Sequence, residues 1–256
     1  MNIPAFRTQT FQKLQERYLR TVSPLYLSES FTFPRKENDR EQCCCFRCPC
    51  LNTSLEKNFT KHPHRAVVVD IETTGTSHSD QIIQIGAVEV IGSLITGNCF
   101  DVTVKPTVPI NPMATSVHGI CEAHYRRECF PALKDVFDEF NAFVGSSLVV
   151  CHNTGFDVKF LKLEGERVGL PFTPQSILCT MKLFRSIFVT TERESGNVLK
   201  KSNLDFVSEY FGLKNRLASD QFGVQRPTYH SAISDAMLTA KVYCTMHRLG
   251  MAHVHH

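Results

Sequence analysis

Asp70 and Glu72 stand one residue apart at the end of the run Arg65-Ala-Val-Val-Val-Asp-Ile-Glu-Thr-Thr-Gly75. The residues before them are apolar and β-branched, so the stretch reads as a strand. Side chains alternate along a strand, which sends Val67, Val69 and Ile71 to one side and Val68, Asp70 and Glu72 to the other. Two carboxylates on one face each raise the cost of ionising the other unless a cation lies between them. That is a metal site in outline. Acids near a strand end can instead cap a loop or face water. Here both faces of the run are apolar, as in a buried strand, and Thr-Thr-Gly follows at once.

Two further stretches carry acids in comparable settings. His152-Asn-Thr-Gly-Phe-Asp157 follows an apolar segment, Ser147 to Cys151, and leads into a helix expected over Val158 to Val168. In open sheets, sites gather where strands end and helices begin. Alone, Asp157 would equally serve the helix N-terminus, where an acid is favoured by about 0.3 to 1 kcal/mol. Tyr229-His-Ser-Ala-Ile-Ser-Asp235 opens the last long helix, which runs to Leu249. At helical spacing Ile233, Ala236, Met237, Ala240 and Cys244 form one stripe, and Asp235 lies about 160° from its centre. Leu238 and Val242 flank Asp235, so its side of the helix is not plain solvent. On a continuous helix His230 and Asp235 would point about 140° apart. Both reach one site only if His230 lies on the lead-in turn, with Ser231 as N-cap.

Together the three stretches supply four carboxylates and one histidine. Oxygen-only ligands suit Mg²⁺ or Mn²⁺ rather than zinc. Two such ions, about 3.5 to 4 Å apart, can hold the attacking and leaving oxygens of a phosphoryl displacement. The substrate this implies is a phosphodiester. An imidazole titrates near neutral pH and can take the proton from an attacking water.

The elements that must position these residues follow from the pattern around them. A polar turn, Thr76 to Asp80, leads to a second strand, Gln81 to Ile91, and Phe100 to Val104 alternates as a third. The module therefore opens as a three-stranded meander. Leu133, Val136, Phe137, Phe140 and Val144 make one stripe of an amphipathic helix over Ala132 to Val144. Ser147 to Cys151 is a fourth strand, and Ile177 to Phe188 a fifth strand running into a helix. Asn203 to Phe211 is a further helix, and the polar stretch Thr190 to Lys201 between them reads as a mobile flap.

The chain is 256 residues long and 42% hydrophobic, enough for one sizeable domain with an appendage. No apolar run approaches the roughly 18 residues of a spanning helix, so no membrane partner is expected. The net charge of +3 is unevenly spread. Residues 1–64 hold ten Lys/Arg against six Asp/Glu, and the remainder eighteen against nineteen. A near-neutral module is not one that coats nucleic acid by charge alone.

Residues 1–64 read as a Cys-rich, mostly disordered arm, 65–250 as the domain and 251–256 as a short tail. Within the arm, Thr10 to Thr21 has weak helical spacing, and Arg7, Arg17 and Arg20 suit a mitochondrial presequence, against which Glu16 and Glu29 count. Cys43-Cys-Cys-Phe-Arg-Cys-Pro-Cys50 contains one C-x-x-C, Cys45 to Cys48. It reads as an unstructured linker or as a Zn²⁺ site completed by His62 or His64, with no second spaced pair to support the latter. Eleven cysteines, an odd number, without a secretory leader point to a reducing interior, cytoplasmic or nuclear.

Asp-x-Glu-Thr-Thr-Gly at Asp70 to Gly75, His-Asn-x-x-Phe-Asp at His152 to Asp157 and His-x-x-x-x-Asp at His230 to Asp235 resemble the three motifs of the DnaQ-like, DEDDh-type 3′→5′ exonucleases. The proofreading subunit of bacterial DNA polymerase III typifies that family. Val117-His-Gly-Ile120 is similar to a further stretch common in it. The resemblance covers residues 65 to about 249, in the family's order. It implies a ribonuclease H-like α/β fold, a mixed five-stranded sheet flanked by helices. It implies that Asp70, Glu72, Asp157 and Asp235 hold two Mg²⁺ or Mn²⁺ ions and that His230 deprotonates or orients the attacking water. It also implies that Thr73, Thr74, His118, Asn153 and Phe156 touch the 3′-terminal nucleotide. The expected substrate is single-stranded DNA or a frayed 3′ end, released as nucleoside 5′-monophosphates; RNA is the alternative, and a non-catalytic nucleic-acid-binding protein a distant third. The family's proofreading subunit has a C-terminal polymerase tether, whereas this chain stops at Met251-Ala-His-Val-His-His256, which argues against service as a polymerase subunit.

Overall fold

The structure is a computed structural model, and it describes residues 65–126, 129–189, 201–213 and 230–252. The N-terminal arm with its Cys43 to Cys50 cluster and presequence-like residues, the stretch 190–200 of the expected flap, and the tail from His253 lie outside the described residues.

β1 (Arg65–Thr73), β2 (Ile82–Ile91) and β3 (Leu94–Thr103) form the meander. β3 begins six residues before Phe100. Gly92 and Ser93 turn the chain in two residues, Gly92 at φ 62°, and Leu94 then pairs with Ile91. A glycine in that conformation is what a tight hairpin needs. α1 (Pro112–His118), α2 (Leu133–Val144), β4 (Leu148–Cys151) and α3 (Thr154–Val168) follow. β5 (Ser176–Cys179) runs into α4 (Thr180–Phe184), which continues as a wide π turn, Arg185–Val189. α5 (Leu204–Tyr210) and α6 (Ala232–Arg248) complete the described elements.

The sheet has the order β3-β2-β1-β4-β5. β1 is antiparallel to β2 but parallel to β4, and β5 is parallel to β4. The expected mixed five-stranded sheet is the one observed. β1 lies at its centre, buried on both faces, as its unbroken apolar run requires. Val67, Val69 and Ile71 pack with Phe137 and Phe140 of α2 and Phe160 and Leu161 of α3. Aromatic rings carry much of this core: Phe140 lies 5.6 Å from both Phe100 and Phe172. The helix α6 lies against β1 and β2, on the side to which Val68, Asp70 and Glu72 turn.

Burial around α6 differs from the expected stripe. Ile233 and Met237 are only half-buried, whereas Asp235, Leu238, Thr239, Val242, Tyr243 and Met246 are buried with Ala236, Ala240 and Cys244. The helix is covered on most of its circumference, because α5 and α4 pack on it as well as the sheet. Its wet stripe is narrow, with Ser234 and Arg248 exposed and Met237, Lys241 and Thr245 half-buried between them, and it takes in part of the apolar stripe that spacing alone suggested was buried. Among the described residues no helix is long and apolar enough to cross a membrane.

Candidate active site

Asp70 and Glu72 occupy the C-terminal end of β1. In the β1/β2 register Asp70 stands opposite Gly86 and Glu72 opposite Gln84, and the register slips just after Glu72. Asp235 lies in the first turn of α6, fully inside. One carboxylate oxygen from each of Asp70, Glu72 and Asp235 falls within 4.8 Å of the others. Residues 165 positions apart thus share one pocket.

Asp157 borders that group. α3 begins at Thr154, four residues earlier than its apolar pattern suggested, so Asp157 sits in the first turn rather than ahead of it. The polar Asn-Thr-Gly sequence masks the turn, since these residues favour helix ends over interiors. The carboxylate of Asp157 takes backbone N–H groups from Ile71, Asn153 and Asp157 itself. These favour its ionised form, yet burial outweighs them and lifts its carboxyl above the usual range. Its charge in turn acts on both Asp70 and Glu72.

The electrostatics of the group are those of crowded acids. Burial first, and then the charges of Asp157, Asp235 and Glu72, push Asp70 well above an ordinary aspartate. Burial, Asp235 and Asp157 push Glu72 up to about 8. No lysine or arginine among the described residues forms an ion pair with Asp70, Glu72 or Asp157. Buried acids without a cation are costly, and hard oxygen donors at this spacing fit a divalent cation such as Mg²⁺ or Mn²⁺. The residues present therefore fit the divalent cation that the sequence resemblance implies.

His230 precedes α6 on an extended lead-in, as the spacing required. Its backbone N–H donates to the carbonyl of Val117 at 3.0 Å, which ties the start of α6 to the end of α1. Its Nδ1 lies 2.6 Å from Asp235 Oδ2. With the carboxylate accepting, Nδ1 carries the proton and Nε2 keeps the lone pair. The ring is about half-exposed, at 46%, so solvent or substrate reaches it. Ser231 occupies the N-cap position, but its side chain makes no capping hydrogen bond.

The remaining sequence candidates surround this group in different ways. Thr73 is buried, and its hydroxyl donates to the Gly75 carbonyl at 2.6 Å. Thr74 is fully buried; its hydroxyl donates to Asp80 and accepts from the N–H of Gln81, so its side chain is committed to the β1–β2 turn. His118 is buried at the end of α1. Its Nδ1 accepts from Ile120 N–H, leaving Nε2 to donate to the Thr73 carbonyl at 3.2 Å. Burial lowers its pKa, and nearby His230 lowers it further. Asn153 is exposed at the start of α3 without capping it through its side chain. Phe156 is half-buried, its ring 4.9 Å from that of Phe160. Part of this ring therefore packs against the core, and part faces outward.

Two residues near the site carry no chemistry and so drew no attention in the sequence. Gln84 and Gly86 lie on β2 directly across from the two acids. The available signal was a glycine inside an otherwise strong strand, Ile85-Gly-Ala-Val88, which marks close backbone approach.

Comparison with known proteins supplies context for this geometry. Residues 67–243 match the RNase_T exonuclease family. DNA polymerase III subunit epsilon of Escherichia coli (strain K12) is 31% identical over 188 residues, covering 71% of this chain and 71% of that protein. A PolC-type DNA polymerase III from Caldanaerobacter subterraneus subsp. tengcongensis is 32% identical over 194 residues; 75% of this chain aligns to only 12% of that much longer protein. Among solved structures, the nuclease domain of 3′hExo, a DEDDh family member bound to rAMP, superposes with a TM-score of 0.52 at 16% identity. That alignment covers 73% of this chain and 92% of that one, and the likeness is one of fold.

Proposed function

The chain belongs to the RNase_T exonuclease family, among its DnaQ-like members, and is a 3′→5′ exonuclease; on that premise we propose that it removes nucleotides from single-stranded or frayed 3′ ends of DNA as nucleoside 5′-monophosphates. The observation that carries the reading is the convergence of Asp70, Glu72 and Asp235 within 4.8 Å, bordered by Asp157 and with His230 on its rim. DNA is favoured because the two relatives described above are DNA polymerase III proteins by name.

In this mechanism Asp70, Glu72, Asp157 and Asp235 would hold two Mg²⁺ or Mn²⁺ ions. Such cations supply positive charge to phosphate oxygens and lower the pKa of a nearby water. Asp235 orients His230 through the Nδ1–H contact, so that Nε2 is presented to take the proton of the attacking water. Glu72 and Asp235 are buried and Asp70 partly so, and charge interactions among groups withdrawn from water are stronger than in bulk solvent. The carbonyl of Thr73, the rim at His118, exposed Asn153 and the outward part of Phe156 surround the terminal sugar and base. Stacking on Phe156 tolerates any base, as end-processing requires. Thr74 contributes through the turn it closes rather than through its hydroxyl. The odd count of eleven cysteines suits a reducing interior, cytoplasm or nucleus, as the place of reaction.

The test is digestion of 3′-labelled single-stranded DNA, duplex DNA and RNA of matched sequence, with Mg²⁺ or Mn²⁺ and with EDTA. Metal-dependent release of mononucleotides from single-stranded DNA is expected. Faster release from RNA would move the substrate to that class, and activity unchanged by EDTA would remove the metal mechanism. His230→Ala should keep cation and DNA binding but lose turnover by about 10²- to 10⁴-fold. A variant that cleaves like the parent would end the role given to that imidazole.

A further inference from the structure

Asp235 comes from a helix and His230 from its lead-in, whereas Asp70 and Glu72 come from a strand, so the pocket depends on how closely helix and strand are seated. The seat is on β2. A Cβ added to Gly86 would lie 2.3 Å from the carbonyl carbon of Ala232 and from the nitrogen of Ile233, and 2.5 Å from the Ala232 oxygen. All three atoms are helix backbone and cannot turn aside. The first turn of α6 therefore rests on bare strand at the residue opposite Asp70. Two positions away, Gln84 stands opposite Glu72. Its Oε1 accepts from the N–H of Ala232 at 3.4 Å, and its Nε2 is held by Thr103 Oγ1 at 3.1 Å. Ser231 offers no side-chain cap, so this long contact from the sheet is the side-chain acceptor given to the helix start.

We infer that Gly86 and Gln84 are positioning residues that set the separation between Asp235 and the strand carboxylates, and through it which divalent cation the pocket accepts. The inference rests on the metal-dependent reading above. Ordinary carbon contacts begin near 3.4 Å, so a methyl at position 86 forces the helix start outward by about 1 Å. Carboxylate to Mg²⁺ distances near 2.0 to 2.1 Å are nearly rigid. A pocket opened by such an amount loses Mg²⁺ first and keeps a larger, more tolerant ion such as Mn²⁺. The asymmetry between the two ions distinguishes a positioning role from a general loss of stability, which would weaken both alike.

The experiment compares the full chain with Gly86→Ala and Gln84→Leu. Direct Mg²⁺ and Mn²⁺ binding is measured by titration calorimetry without substrate, beside the thermal midpoint and the kcat and KM for single-stranded DNA in each metal. Gly86→Ala is expected to weaken Mg²⁺ binding at least tenfold and Mn²⁺ binding less. Its kcat should fall more in Mg²⁺ than in Mn²⁺, at little-changed KM. Gln84→Leu should do the same on a smaller scale and keeps the test alive if Gly86→Ala does not fold. Equal losses in both metals, or parental binding in a folded variant, would overturn the inference. A parent chain with no metal-dependent nuclease activity would instead overturn the functional reading, a result distinct from any difference between parent and variant.

Discussion

β1 carries a buried carboxylate partnership at each end, and the two are solved in opposite ways. At its start, Arg65 donates from Nε to Glu89 at 2.5 Å, and from its other nitrogens to the carbonyls of Phe143 and Val144 and to Ser147 Oγ. The guanidinium also lies over the ring of Phe143, 5.4 Å from its centre. Glu89 takes two more hydrogen bonds, from Thr96 and Asn98. Burial works against the charge of Glu89, but these partners outweigh it and hold its carboxyl below the usual range. At the other end of the same strand, Asp70, Glu72 and Asp235 converge; among the described residues no Lys or Arg pairs with Asp70 or Glu72, and the carboxyls of these two are driven up. One end is a charge pair completed by the protein; the other, on the function proposed above, would be completed by an outside cation. The first serves the fold, and the second is sustained only because the fold is stable elsewhere.

Substitution should separate the two ends cleanly. The largest effect is expected for Asp70→Asn, which removes a ligand oxygen charge while keeping shape. Turnover should fall by about 10³-fold or more, since metal-borne stabilisation is worth several kcal/mol. The thermal midpoint without metal should stay level or rise, because one repelling charge is gone. Turnover and unfolding measured on the same preparation decide it, and a sharp drop in midpoint would place Asp70 with the structural acids. Arg65→Met is the mirror experiment. Leaving Glu89 buried without its cation should cost about 3 to 5 kcal/mol in denaturant unfolding. Turnover per folded molecule, measured well below the melting range, should remain within about twofold of the parent. Loss of activity without loss of stability would erase the contrast between the ends.

The same contrast explains what could be read from the amino-acid order. The candidate catalytic end was legible because its residues repeat a chemistry: acids where an apolar run ends or a helix begins, in three places, with a histidine at a fixed offset from the last. Strand β1 and its alternation place Asp70 and Glu72 on one face in the structure as in the pattern. The structural end was not legible. Arg65 reads as a charge at a domain edge, and nothing local says that Glu89, twenty-four residues on, lies beside it. Nor did spacing reveal the Gly86 seat or how much of α6 is covered, since both depend on elements that meet only in three dimensions. The start of α3 was missed for a local reason, its polar first turn, while the early start of β3 hid behind the exposed residues of an edge strand. Hydrophobic pattern reports where a chain is buried against its own neighbours; it is silent on which distant element does the burying.

A smaller and more discriminating effect lies in pH. For a carboxyl raised on folding, the folded chain holds a proton that the unfolded chain has already released, so stability falls as pH rises through the interval between the two values. For Glu72 that interval runs from its ordinary 4.5 to about 8. For a carboxyl lowered on folding the sign reverses: Glu89 contributes stability above its ordinary 4.5, which is lost as pH falls through its lower folded value. In EDTA the thermal midpoint should therefore decline from about pH 5.5 to about pH 8, and decline again in strong acid, with a maximum on the acid side of neutrality. Saturating Mn²⁺ should flatten the upper limb, because cation binding displaces the same protons. Arg65→Met should shrink the acid limb, leaving the part due to Asp80, and spare the upper one, while Asp70→Asn should blunt the upper limb and spare the acid one. A midpoint that instead rises in EDTA between pH 6 and 8 would mean that the crowded acids are already neutralised by a cation of the chain itself, and the division between the two ends of β1 would fall.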